Sequence, residues 1–486
     1  MLALQTSNPL ARLILIAGLA VGAATLALPP GWAVLAFLCL TCLVLMPFSP
    51  LIALMVTLTL APLRSLIGTE SGLSLPLDIG QLLLIAYLGV WLGRRLWRRE
   101  SLLKLQADAP LLAALGLIAV LSLGAWTSQS LAGWLAEWLK WWAIALLIWT
   151  LSVSVDESWR WLVFAVVISA VANALVGLYI FFGGSGADHL VILGRFFRAF
   201  GTFGQPNPFG GFMGIALPLS LTVAWAQLSR IWSELRSRRR WPRSPALIFV
   251  GSALASVALA AALLASWSRG AWLGAAVALI CMLIALPRRL SHGLALAAVI
   301  AALVAGAWSL GLLPRSIMLR LTTAATNLIT VSDVRGVLIT PTNYAVTERL
   351  AHWQAAVYMA EAAPYFGIGL GNYEVAYDEY RLIFWEAALG HAHNMYLNLL
   401  AETGAVGLVA YLAFWVTVFR LTWSLRRQPD PFSRCIAIGL LGSWVYVAVH
   451  SVFDNLYVNN LFLHIGVLLG ILAILHRRMT QALELD

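Results

Sequence analysis

Apolar runs of about twenty residues, the length that crosses a bilayer as a helix, recur along most of the chain. They fall at residues 11–28, 31–47, 50–65, 77–97, 110–127, 132–153, 160–182, 206–228, 245–266, 270–287, 293–312, 395–424, 433–451 and 457–475. The pattern predicts an all-α, polytopic membrane helical bundle with about 12–14 transmembrane helices, fewer than fourteen if the short first three merge or re-enter. Breaks at 62–76 and 183–205 predict loops. One long break, 313–394, predicts a helical loop domain. Leu350, Trp353, Val357 and Tyr358 give it a helix over Val346–Ala363 that ends at Pro364, and Gly367, Gly369 and Gly371 give it a turn. The chain divides into N-terminal helices (1–194), central helices (195–312), the large loop (313–394) and C-terminal helices (395–486). No internal repeat or low-complexity linker is visible.

Charge fixes the orientation of these spans. Arg94, Arg95, Arg98, Arg99 and Lys104 follow the fourth; Arg230, Arg236, Arg238, Arg239, Arg240 and Arg243 lie between the eighth and ninth. Arg288 and Arg289, Arg426 and Arg427, and Arg477 and Arg478 follow the tenth, twelfth and fourteenth. All these clusters fall on one side, which the positive-inside rule makes cytoplasmic, together with both termini. The three longer loops then lie outside. Composition agrees: of 486 residues 61% are hydrophobic and only 11% charged, against about 25% charged in soluble domains. The net charge of +10 sits in short inter-helix loops, which reads as membrane orientation and not as nucleic-acid binding. Twenty-two Trp fit a protein with many interfacial anchors. Cys39 and Cys42 form a C-x-x-C inside an apolar run, which reads as packing. Residues 11–28 read as a first span without a cleavage site.

The topology gathers distant polar residues on the outer face. Arg269 lies between the ninth and tenth spans. Arg349 and Trp353 share one face of the loop helix. Arg195 and Arg198 precede Gln205 and Asn207 at the start of the eighth span. His391, His393 and Asn394 end the large loop, and His450 and Asp454 sit four apart at the end of the thirteenth span. Several guanidinium groups suit a polyanion such as a lipid-linked pyrophosphate. A neutral His393 at a helix N-terminus, where the dipole disfavours imidazolium, suits proton abstraction from a hydroxyl. The candidate catalytic set is therefore His393, Arg349 and Arg269. The candidate substrate-binding set is Arg195, Arg198, Gln205, Asn207, Trp353, His391, Asn394, His450 and Asp454.

Plainer roles stand beside these. Arg195, Arg198 and Arg269 also fit interfacial anchors, Arg349 fits a partner of Glu348, and His391 fits a loop residue. Glu402 falls on the opposite helix face from His393 and reads as a structural hydrogen-bond partner. Glu137 and Lys140 pair with each other, and so do His450 and Asp454. The loop glycines lack the strand–helix context of a dinucleotide site. No carboxylate spacing suggests a metal.

The motifs Ser268-Arg269-Gly270, Arg349-x-x-x-Trp353, Pro364-x-x-Gly367-x-Gly369-x-Gly371-Asn372, His393-Asn394-x-x-Leu397 and Glu402-x-Gly404 occur in that order. Gly201-Thr202-Phe203-Gly204-x-Pro206-Asn207-Pro208 precedes them. This ordered set resembles the O-antigen ligase and O-antigen polymerase superfamily of bacterial envelope glycosyltransferases, over about residues 195–465. The resemblance implies a metal-independent GT-C type transferase of the inner membrane, without cofactor. It would move a glycan from undecaprenyl pyrophosphate to an acceptor hydroxyl on the periplasmic side, with the family's essential Arg, Arg and His at Arg269, Arg349 and His393. Its partners would be the lipid-linked donor, a lipid A-core or other glycan acceptor, and membrane lipids. The lack of a large soluble domain favours a ligase over a protein O-oligosaccharyltransferase; a polymerase is the alternative. A transporter of an anion or lipid-linked sugar is the rival class, and would place polar or broken helices at the bilayer midplane.

Overall fold

A computed structural model describes residues 46–71, 77–101, 108–153, 158–184, 186, 188–237, 243–312, 333–340 and 343–485. The spans expected at 11–28 and 31–47, with Cys39 and Cys42, lie outside the described residues. The helices are α1 (Pro50–Leu60), α2 (Arg64–Ser71), α3 (Ile79–Trp97), α4 (Ala109–Leu123), α5 (Leu131–Val153), α6 (Trp159–Phe181), α7 (Pro206–Arg236), α8 (Arg243–Ala265), α9 (Arg269–Ala285) and α10 (Leu290–Ser309). Two helices of the large loop follow, α11 (Tyr344–Ala362) and α12 (Tyr373–Tyr380), then α13 (Met395–Ser424), α14 (Pro431–His450) and α15 (Leu461–Leu485). Val191–Ile192 and Phe196–Phe197 form a two-residue antiparallel ribbon.

The protein is thus a polytopic helical bundle, as the apolar runs predict. Ten described helices are long and apolar enough to cross a membrane, counting Pro50–Thr69 as one. Ala109–Leu123 and Arg269–Ala285 are apolar but shorter than their predicted spans, because Gly124 caps the first and Leu286 caps the second. The loop expected from residue 62 is instead helical as far as Ser71. The loop-domain helix starts at Tyr344, two residues before the expected start, and ends next to the predicted Pro364 stop.

Burial sorts the helices into centre and rim. Along α15 the side chains from Leu461 to Leu475 are buried on every face, as expected of a helix surrounded by others. It packs on α5, while α7 packs on α8 and α14. Gly214 lets α7 approach α14 closely: a Cβ there would lie 1.9 Å from the Tyr446 ring. By contrast, α10 packs mainly on α9 and exposes Leu294, Val299, Leu303 and Val304. Similar exposed apolar faces on α3 and α8 (Ile85, Leu247, Leu254) suit contact with lipid chains.

One end of this bundle carries nearly all the candidate residues. α7, α9, α13 and α15 each begin at that end and run towards a basic cluster at the other: Arg230 and Arg236, Arg288 and Arg289, Arg426 and Arg427, Arg477 and Arg478.

Helix α13 is broken where it passes the glycine turn. Gly404 has φ 63° and ψ −169° inside an otherwise helical run. The gap is filled by the chain from Pro364 to Gly369. Ile368 and Gly369 donate their N–H groups to Ala401 O (3.0 Å) and Glu402 O (2.9 Å), and Ala405 and Val406 donate to Pro364 O (2.8 Å) and Tyr365 O (3.2 Å). Backbone groups released by the break are therefore paired across the junction. Gly367 sits so close that a Cβ would lie 2.3 Å from the Glu402 carbonyl carbon. The motif glycines of the two segments thus lock the large loop onto α13.

Candidate functional site

Three loops and two helix ends build the site. Loop 198–205 is pinned by Ala199 N–H on Ala265 O (2.9 Å) and by the Thr202 hydroxyl on Pro62 O (2.9 Å). It places Arg198, whose Nε donates to Ser266 O (3.0 Å) and whose Nη2 donates to Asn207 Oδ1 (3.3 Å). Ser268 is the N-cap of α9, so Arg269 projects from its first turn. Arg349 and Trp353 stand one turn apart on α11. His450 closes α14.

These residues surround one cavity of about 90 Å³, lined by Arg198, Asn207, Ser268, Arg269, Arg349, Trp353, His450 and Phe453 among others. Three atoms of its wall are buried and lack a hydrogen-bond partner: Arg349 Nε, Trp353 Nε1 and His450 Nε2. Buried polar atoms are almost always paired, so three unpaired ones on its lining residues make this cavity the candidate ligand site. Burial, reinforced by the charges of Arg349 and Arg269, pushes the Arg198 guanidinium down to about 10, and Asp454 opposes the shift.

The titratable cluster lies beside this wall. His393 has φ 52°, a left-handed backbone that turns its ring towards residues 450–454. Its N–H donates to His391 Nδ1 (3.0 Å), and Met395 N–H donates to Ser451 O (2.8 Å). Asp454 Oδ1 lies 3.5 Å from His393 Nδ1 and 3.7 Å from His391 Nε2, contacts that are long for hydrogen bonds. Burial alone would raise the Asp454 carboxyl, but His393, His391 and Arg349 together hold it well below the usual carboxylate range. Burial lowers His391 to about 4; His393, Arg349 and Lys140 act in the same direction and Asp454 against it. His391 is thus a neutral ring at physiological pH.

The expected residues therefore divide. Arg198, Asn207, Arg269, Arg349, Trp353 and His450 share the cavity, and His391, His393 and Asp454 form the neighbouring cluster. Asn394 caps α13, its Oδ1 accepting the N–H groups of Tyr396 (3.0 Å) and Leu397 (3.1 Å). Gln205 is exposed at the N-cap of α7 and makes no side-chain cap bond. Arg195 is exposed on the two-residue ribbon, its guanidinium 4.4 Å from the Phe196 ring centroid. Neither lines the cavity. Asp454 faces the histidines of the large loop, while His450 hydrogen-bonds Tyr446 (2.8 Å), so the expected His450–Asp454 side-chain pair is replaced by these two contacts. Glu402 accepts the Tyr373 N–H (3.0 Å), and Glu137 pairs with Lys140, both as read from the sequence.

Two residues of the site escaped the sequence reading. His352 is buried, and its ring lies 5.6 Å from that of His393. Tyr373 donates its hydroxyl to His352 O (3.1 Å) and lies 3.0 Å from His352 Nδ1, which anchors the ring. Burial first, then His393 and His391, lower His352 to about 3. The signal was present: His352 is three residues after Arg349, on the same helix face. The fold also creates a cation-competent group that no spacing announces. His391, His393 and Asp454 each offer one ligand atom, all within 4.8 Å of one another.

The family model described as O-antigen ligase matches residues 254–412. No curated protein sequence matches the chain. Arg269, Arg349, His391 and His393 lie inside the matched segment, whereas Arg198, Asn207, His450 and Asp454 reach the same site from outside it. The chain thus carries an O-antigen ligase family domain over residues 254–412 within a multi-pass membrane protein, consistent with a member of the O-antigen ligase and polymerase superfamily.

Proposed function

We propose that this protein is a membrane glycosyltransferase that moves a glycan from undecaprenyl pyrophosphate to an acceptor hydroxyl on the periplasmic side, as an O-antigen ligase acting on lipid A-core. The observation that carries the reading is the meeting of Arg198, Arg269 and Arg349 on one cavity wall, with unpaired buried donors on its lining residues and a His393–Asp454 contact beside it.

In this reading His393 accepts the proton of the acceptor hydroxyl while that oxygen attacks the anomeric carbon. The bond from that carbon to the pyrophosphate oxygen breaks, and its electron pair stays on the diphosphate. Arg349, Arg269 and Arg198 stabilise the charge as it forms. Asp454 holds and neutralises the imidazolium. The polyprenyl tail has an apolar groove of about 900 Å³ between α7, α9, α10 and α14, lined by Trp225, Leu279, Leu283, Val304 and Trp308. Its α9 wall begins at Ala276, about two helical turns beyond Arg269. The basic clusters at the opposite ends of α7, α9, α13 and α15 support the assignment of the site to the periplasm and of both termini to the cytoplasm.

The guanidinium groups supply the positive charge that a divalent cation gives other transferases, so the transfer is metal-independent in this reading. The test uses purified protein, undecaprenyl pyrophosphate-linked glycan and lipid A-core, with and without chelator. Product that survives chelation and is lost in a folded His393→Ala variant is the expected result. Full activity of that variant would remove His393 as the base. Extension of the lipid-linked glycan in place of the core would make the protein a polymerase, and transport without product would make it a carrier.

A further inference from the structure

Of the three unpaired buried atoms on the cavity's lining residues, one has a hydrogen-bonding sense opposite to the other two. Tyr446 donates its hydroxyl hydrogen to Gly210 O (2.8 Å), a carbonyl that only accepts. The same hydroxyl lies 2.8 Å from His450 Nδ1. With its own hydrogen already committed, the hydroxyl accepts there, so His450 Nδ1 carries the hydrogen. In the neutral ring Nε2 then has a lone pair and no hydrogen. That atom is buried and lacks a partner, on a residue that lines the cavity. The arginine side chains and Trp353 on the same wall only donate.

We propose that His450 Nε2 is a sugar-sensing acceptor: it takes a hydrogen bond from a hydroxyl or amide N–H on the first sugar, beside the diphosphate held by the arginines. This rests on the transferase reading and adds to it the requirement that the ligand carry a donor next to its anion. A bare diphosphate, whose oxygens accept at neutral pH, leaves Nε2 unsatisfied. A glycosylated diphosphate satisfies both kinds of wall atom at once. His450 then discriminates loaded donor lipid from the spent carrier, and favours release of undecaprenyl pyrophosphate once the glycan has left. Tyr446 and Gly210 are positioning groups, since they fix which nitrogen bears the hydrogen.

The test compares equilibrium binding of two probes to the purified full-length protein in nanodiscs: undecaprenyl pyrophosphate and the same lipid bearing one N-acetylated hexose. His450→Phe, which removes the acceptor and keeps a ring, is expected to weaken the glycosylated probe about tenfold, the worth of one hydrogen bond to a buried group, and to leave the bare lipid within about twofold. Tyr446→Phe, which keeps the ring packing and frees the tautomer, is expected to show a smaller loss of the same selectivity. Arg349→Ala is expected to weaken both probes equally. Equal weakening of both by His450→Phe, or of neither, overturns the inference. If His450→Phe does not fold, Tyr446→Phe alone decides, and unchanged selectivity there overturns it. Wild-type protein that binds neither lipid would instead overturn the transferase reading.

Discussion

Arginines occur in two kinds of setting in this molecule. Away from the cavity several find protein partners. Arg95 lies 3.5 Å from Glu100, Arg230 Nε donates to Glu234 (2.9 Å), Arg434 Nε donates to Arg426 O (2.8 Å), and Arg335 pairs with Asp333. At the cavity, Arg269 and Arg349 make no ion pair among the described residues, and Arg198 is held only by a carbonyl and an amide. Asp454, whose charge acts on Arg198, is engaged by His391 and His393. A satisfied arginine holds a fold together. One left without a counter-charge in a recessed wall keeps a positive potential for a ligand, and its worth appears when the ligand binds or reacts.

That contrast is sharpest at Arg349. Arg349→Ala is expected to lower transfer by roughly 10²–10³-fold, the usual cost of removing one group that stabilises transition-state charge. Arg349→Lys should recover only part of this, because an ammonium cannot match a phosphate with two parallel donors. Full activity in either variant would place Arg349 among the structural arginines. Asp454→Asn comes next. Loss of the charge that faces His393 should cost roughly 10²-fold in kcat; an unchanged kcat would separate Asp454 from the base.

Gly404→Ala probes the junction that carries α11 and the histidines to the cavity. A Cβ there would lie 2.2 Å from the Tyr365 carbonyl carbon, at a φ that L-residues rarely adopt. A loss of at least about 2 kcal/mol is expected, read as a lower Tm, with transfer falling in parallel.

The pH dependence of stability follows from His391 and His352, lowered from 6.5 to about 4 and about 3 by burial. Both are neutral when folded and take up protons more readily when unfolded. Their contribution is complete above pH 6.5 and is lost progressively as the pH falls towards 4. Thermal unfolding in detergent should therefore show Tm dropping across that interval, and His352→Phe should flatten the slope. The smallest effect belongs to Arg335→Ala, which removes an exposed pair remote from the wall and should leave transfer unchanged.

Much of this was legible in the chain because it is local. A run of apolar residues long enough to span a bilayer reports a helix wherever it occurs, and the placing of arginines between runs orders the ends. So the bundle, the helix that carries Arg349 and Trp353, and the opening of α13 just after His393 came from periodicity alone. The site was legible in part. Arg198, Arg269, Arg349 and His393 could be grouped by side, but Arg195 and Gln205, on the same predicted side, turn away from the cavity. Which face of a loop looks inward depends on partners distant in the chain, such as Ser266 for Arg198 and Pro62 for Thr202. His352 was passed over because a single His on a helix carries no mark of what packs behind it.

The sequence by itself determined that this is a many-span helical membrane protein with cations and histidines gathered at one end. Tertiary structure decided that Asp454 serves His391 and His393 and not His450, that Tyr446 sets the His450 tautomer, and that α13 breaks at Gly404 to admit the glycine turn. Those outcomes depend on distances of a few ångströms between segments far apart in the chain. Hydrogen-bond direction and burial act only at that range, and no pattern of neighbouring residues encodes them.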